Sequence, residues 1–143
     1  MATYRTSVTS SRSPSELFVY MARFSNAAQW DPGVSSAEEL TPGAPALGST
    51  YRLMVKSLGR SMALDYKIIE FDEPRRVVLN AENWMLRSTD LIEVQPGPGD
   101  GSTLTYDATL VLKGFLSPLS PVLSRPFTQI GDRAAASLRT TLA

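Results

Sequence analysis

Cysteine and histidine are both missing from this chain. Without them there are no disulfides, no thiol nucleophiles and no thiolate or imidazole metal ligands. Ser-His-Asp and Cys-His catalysis are excluded, and no metal is expected, because a site would rest on carboxylates alone. Net charge is missing too: 14 Lys+Arg balance 14 Asp+Glu, and the basic residues are scattered. The electrostatic footprint for nucleic acid or an acidic membrane surface is therefore absent, and no nucleic-acid partner is expected. Neither GxGxxG nor GxxxxGK[ST] occurs, so no glycine loop cradles a nucleotide phosphate and no cofactor is expected. No apolar run approaches the roughly 20 residues that span a bilayer. The first residues, Met1-Ala2-Thr3-Tyr4-Arg5, do not have the basic-then-apolar layout of a signal peptide. A cytoplasmic protein without an integral membrane segment is the expectation. No Pro/Ser/Gly linker or internal repeat divides the chain, so its 143 residues with 43% hydrophobic content are expected to form one domain over 1–143.

What is present begins with a well-specified helix start. Ser13 is placed to cap a helix whose first residue is Pro14, with Glu16 three positions past the cap. Leu17, Phe18, Met21 and Phe24 follow at helical spacing, and Trp30-Asp31-Pro32-Gly33 stops any helix before a strand opens near Val34. Short helical structure thus interrupts a chain that otherwise reads as strand. Thr3–Ser11, Val34–Leu40, Ser49–Ser57, Ser61–Phe71, Arg76–Glu82, Met85–Gln95 and Thr103–Leu112 carry strand composition, several with alternating polarity. Turns are expected at Thr41–Pro45, Leu58-Gly59, Asp72–Pro74 and Pro96–Gly101, and their shortness implies antiparallel neighbours.

From about Pro121 onward, Leu123, Phe127, Ile130, Ala134, Leu138 and Leu142 recur at steps of three and four, an amphipathic helix that lies on something apolar. Pro126 and Gly131 predict a kink midway. One strand, short helices, six strands and a long helix make an α+β order, with the helix on the concave face of a curved seven-stranded antiparallel sheet. The segment Gly114–Leu123, GFLSPLSPVL, is either core or a greasy lip over a cavity mouth.

The opening strand, the runs SPSELFVYMARFSNAAQWDPGV, LGSTYRL at Leu47–Leu53, YKIIEFDEPRRVVL at Tyr66–Leu79 and STLTYDATLVLKG at Ser102–Gly114, in this order and spacing, resemble the polyketide cyclase/dehydrase group of the START-like, helix-grip superfamily. The resemblance covers nearly the whole chain. It implies a curved sheet gripping the C-terminal helix around an elongated cavity, with two short helices after the first strand. It also implies a role with lipids, sterols, polyketides or similar molecules. It supplies no universal catalytic motif, so site residues come from the strands themselves.

Strand parity sorts them. In Met85–Gln95, Leu86, Ile92 and Val94 share a face with Ser88 and Asp90; in Thr103–Leu112 the inward set is Leu104, Tyr106, Ala108, Leu110 and Leu112; in Met62–Ile68 it is Met62, Leu64, Tyr66 and Ile68. Tyr66, Leu64, Leu86, Ser88, Tyr106, Ala108 and Leu110, with Phe127 and Ile130 from the helix, are the expected ligand-binding residues, and Asp90 is the candidate catalytic group. A carboxyl among apolar walls is harder to ionise and can serve as a general acid or base towards a carbonyl compound. Three other arrangements stay open for Asp90: a wet rim position, a bulge that flips its parity, or plain hydrogen bonding to Ser88, Tyr66 or Tyr106. Trp30 and Trp84 are read as packing residues, and Arg52, Arg76 and Arg87 as members of the solvated face.

Two function classes follow, with a third behind them. A module binding a small hydrophobic, lipid- or polyketide-like molecule demands only an apolar cavity with a few orienting polar groups. A polyketide cyclase or dehydratase demands in addition that Asp90 act as acid or base while Tyr66 or Tyr106 polarises a carbonyl. The third is a protein-interaction module with a collapsed cavity. Ligand identity and oligomeric state are not encoded in any feature above.

Overall fold

Ser13 caps as its position predicts. Its Oγ accepts the Glu16 N–H at 3.3 Å, and helix α1 (Pro14–Ala22) starts with proline at its first position. The computed structural model describes residues 2–57 and 60–142. Leu17, Phe18, Met21 and Ala22 of α1 are fully buried, and each large apolar side chain so buried contributes about 1.5–3 kcal/mol of transfer free energy. Phe18 meets Phe71 of the sheet edge-on, with ring centroids 5.4 Å apart. A 3-10 turn at Phe24–Asn26 leads into the single-turn helix α2 (Ala27–Trp30). The Asp31 carboxylate then accepts the Gly33 N–H at 2.8 Å, a turn that ends the helical excursion.

The strands are β1 (Ala2–Ser10), β2 (Val34–Glu39), β3 (Thr50–Ser57), β4 (Arg60–Asp72), β5 (Arg76–Glu82), β6 (Leu86–Pro96) and β7 (Ser102–Leu112). They form one antiparallel sheet in the order β1-β7-β6-β5-β4-β3-β2. This is a meander whose first strand returns beside the last, with Ala2 opposite Leu110 and Ser10 opposite Ser102. The turn expected at Leu58-Gly59 lies outside the described residues. Register slips between Val34 and Ser36 and between Ile68 and Glu70, and such bulges bend the strands and raise their twist. The sheet curls into a half-barrel as a result. The outer face carries ion pairs such as Arg52–Asp65 at 2.8 Å and Arg87–Glu82 at 2.7 Å, in keeping with the solvated face read for those arginines.

Helix α3 (Ser120–Leu142) lies in the concavity, and Ala135, Leu138 and Leu142 are buried against the sheet. Ser10 Oγ ties the far end of the helix down by donating to the Leu142 carbonyl at 2.8 Å. The helix runs through both Pro126 and Gly131, the positions at which the sequence predicts a kink. Gly131 has another reason to be small, because a Cβ there would stand 2.5 Å from Cγ and Cδ2 of Tyr4. Gly114–Leu119 forms a 3-10 turn before α3. Most side chains of Gly114–Leu123 lie outside the described ones, so the core-or-lip choice for that segment falls there too. Trp84 corrects the packing expectation: it is 72% exposed. It sits in the β5–β6 turn, where Asn83 Oδ1 accepts the Met85 and Leu86 N–H groups and fixes a tight reversal that leaves the indole no interior to enter.

Candidate functional site

The half-barrel, α2 and α3 enclose a chamber of about 160 Å³. Its floor is built by strand alternation. Leu64 and Tyr66 come from β4, Leu86, Ser88 and Asp90 from β6, and Tyr106, Ala108 and Leu110 from β7, while Phe127 and Ile130 close it from α3. The nine expected ligand-binding residues and Asp90 all line this one space, whereas Ile68, Ile92, Val94 and Leu104, on the same inner faces, pack in the core instead. Sequence reasoning missed Asp31, Trp30, Phe24 and Tyr4 as lining residues. Tyr4 had a readable signal, since Tyr4, Thr6, Val8 and Ser10 alternate along β1 with Val8 and Ser10 buried. Asp31 had none, because a turn aspartate next to proline reads as punctuation.

One polar seam crosses this apolar wall. The Tyr106 hydroxyl donates to Asp90 Oδ2, and Ser88 Oγ donates to Asp90 Oδ1 at 3.4 Å. Tyr66 and Ser88 are 2.9 Å apart through their hydroxyl oxygens. Ser88 has a single hydroxyl proton; with that proton committed to Asp90, Tyr66 is the donor in its bond to Ser88. The seam therefore runs Tyr66 to Ser88 to Asp90, with Tyr106 meeting the same carboxyl from the other side. Ala81 stands opposite Ser88 on β5, the strand between β4 and β6.

Burial dominates the electrostatics. Asp90 is 5% exposed, and loss of water pushes its pKa up from 3.8 to about 7, against the opposing pull of the Tyr106 and Ser88 hydrogen bonds and with a further push from the Asp31 charge. Asp31 is itself raised by burial, partly offset by the Gly33 N–H. Tyr66 and Tyr106 are held well above the ordinary phenol value, first by burial and then by the Asp90 charge. The carboxyl thus changes charge near neutrality while both phenols stay protonated, and such a group can take or give a proton at ordinary pH. Aromatic rings pack round the seam edge-on: Trp30 on Tyr106 at 5.5 Å and Phe24 on Tyr66 at 4.9 Å between centroids. Trp30 packs as the sequence suggests, and its buried indole N–H has no hydrogen-bond partner among the described residues.

No helix among the described residues is long and apolar enough to cross a membrane. No curated protein sequence matches the chain. Solved structures do match in shape. A START superfamily protein from Mycobacterium smegmatis superimposes with a TM-score of 0.79 at 16% identity, covering 99% of this chain and 97% of that one. Ara h 8.0201 gives 0.68 at 18% identity over 98% and 96% of the two chains. Major latex-like protein 151 from Panax ginseng gives 0.66 at 10% identity over 99% and 97%. At these identities the likeness shows the fold, a curled seven-stranded antiparallel sheet with its C-terminal helix, and nothing finer. The sequence pattern of the family described as polyketide cyclase / dehydrase and lipid transport matches residues 1–143 from end to end, so the chain belongs to that family, within the START and Bet v 1 type of fold.

Proposed function

We propose that this protein binds a small hydrophobic molecule in the chamber between sheet and α3, with the polar end of the ligand against Tyr66, Ser88, Asp90 and Tyr106. The observation that carries the reading is a walled apolar space with one polar seam, the arrangement by which pockets combine affinity with orientation. A lipid- or polyketide-like ligand agrees with the family. The volume sets a size: about 160 Å³ holds one ring comfortably, as apolar cavities of about 150 Å³ hold benzene. The test is titration with an environment-sensitive apolar probe, expected to bind at about micromolar Kd. Ala108→Trp fills the chamber and should abolish binding while the variant stays folded. Equal binding by parent and folded variant would overturn the reading.

A specific observation favours a second reading, catalysis of aldol-type cyclisation or dehydration. Asp90, titrating at about 7, would take a proton from the carbon next to a ligand carbonyl, and a tyrosine hydroxyl would donate to that carbonyl oxygen. Asp90→Asn should then abolish turnover of a polyketone while binding changes by less than about tenfold, or ~1.4 kcal/mol. In a carrier the same change alters affinity or stability, with no turnover to lose.

A further inference from the structure

We propose that the ligand the chamber is built for carries a protonated amine on a single-ring apolar body, held between the carboxyl groups of Asp90 and Asp31 with aromatic faces around it. This rests on the binding reading above and names its ligand class. Asp31, on the turn after α2, and Asp90, on β6, line the same small chamber from opposite elements. Around them stand Phe24, Trp30, Tyr66 and Tyr106, whose rings interlock at centroid distances of 4.9–6.3 Å. An ammonium group is attracted both by carboxylates and by aromatic faces, and most strongly where water is excluded.

Both oxygens of Asp90 accept hydroxyl protons, from Tyr106 and Ser88, yet burial outweighs those bonds and disfavours the ionised form. A carboxylate buried here needs a counter-charge, and a ligand ammonium supplies one. The charged and titratable groups facing the site are few. Tyr4 comes from β1, Lys56 from β3, Tyr66 from β4 and Tyr106 from β7; the described lining residues of α3 carry no ionisable group. Lys56 is the one cation among the described lining residues, and it is exposed. The Asp107 charge also acts on Asp90 and, like that of Asp31, opposes its ionisation. An ammonium between Asp31 and Asp90 relieves that repulsion.

The test uses the intact protein and three compounds of nearly one shape: benzylamine, benzyl alcohol and toluene. Calorimetric titration at about pH 8.5, where Asp90 is ionised and the amine still largely protonated, should show benzylamine binding at least about tenfold more tightly than benzyl alcohol. At about pH 5, with Asp90 protonated, the preference should fall several-fold. Asp90→Asn should bring benzylamine to the affinity of benzyl alcohol, and Asp31→Asn should reduce the preference in part, which keeps the test alive if either variant folds poorly. Toluene and benzyl alcohol binding as tightly as benzylamine, or more tightly, overturns the amine assignment and leaves the apolar chamber standing. Failure of all three to bind overturns the chamber reading itself, and this assignment with it.

Discussion

The ring of Tyr4, on the edge strand β1, lies so close to Gly131 of α3 that a Cβ there would fall 2.5 Å from two ring carbons. The Tyr4 hydroxyl donates to Asp132 Oδ1, next along the helix, at 2.7 Å. Ring and hydroxyl together seat the helix on β1, and both Tyr4 and Gly131 line the chamber. Glycine in mid-helix costs about 1 kcal/mol relative to alanine, and overpacking costs about 1–3 kcal/mol.

Gly131→Ala should therefore lower stability by roughly 1 kcal/mol in urea denaturation, the steric cost exceeding the propensity gain. In a Tyr4→Ala background the clash is gone and the same substitution should stabilise by up to about 1 kcal/mol. The reversal of sign is the diagnostic result. An identical effect in both backgrounds would show that Tyr4 does not set the helix position.

Asp90 should make stability depend on pH. Its folded-state pKa of about 7 lies above the ordinary 3.8, so its contribution is fully present below about pH 4 and is lost as pH rises to about 7, a change of about 4 kcal/mol. Asp90→Asn lacks this dependence. The variant should melt at a higher temperature than the parent at about pH 8, with the gap shrinking toward about pH 4. Thermal melts of both proteins across that window check it; a gap that does not vary with pH would mean that Asp90 is hydrated.

Tyr106→Phe removes the hydroxyl that pulls the Asp90 pKa down. The carboxyl should then titrate above about 7, read from its side-chain carbon resonance. An unchanged midpoint would remove Tyr106 from the seam.

Ser10→Ala should loosen the end of α3. Ser10 Oγ donates to the Leu142 carbonyl and also accepts the Arg12 N–H at 3.1 Å. Leu142 is fully buried, and a buried polar group left without its partner costs about 1–3 kcal/mol. Hydrogen exchange in the last turn of α3 should accelerate together with that loss of stability. A change within a few tenths of a kcal/mol, about the level of a neutral surface substitution, would mean that water replaces the serine.

The α+β order, the capped helix at Pro14, strand β5 at Arg76–Glu82 and the inner faces of β4, β6 and β7 were all legible in the residues. These features rest on local chemistry: a cap, a turn or a period of two carries its own signature over a few neighbours. Parity alone sets Tyr66, Ser88, Asp90 and Tyr106 on one wall. Only the tertiary structure decided that Tyr66 reaches Asp90 through Ser88 while Tyr106 meets the same carboxyl directly, because that depends on strand register and on the curl that the bulges impose. Only the tertiary structure brought Asp31 to face them, because the approach of a turn to a distant strand is set by how α1 and α2 pack and leaves no local pattern. Gly131 shows the same division. The sequence marks it as a weak point in a helix, whereas its smallness answers to a ring on the opposite end of the chain.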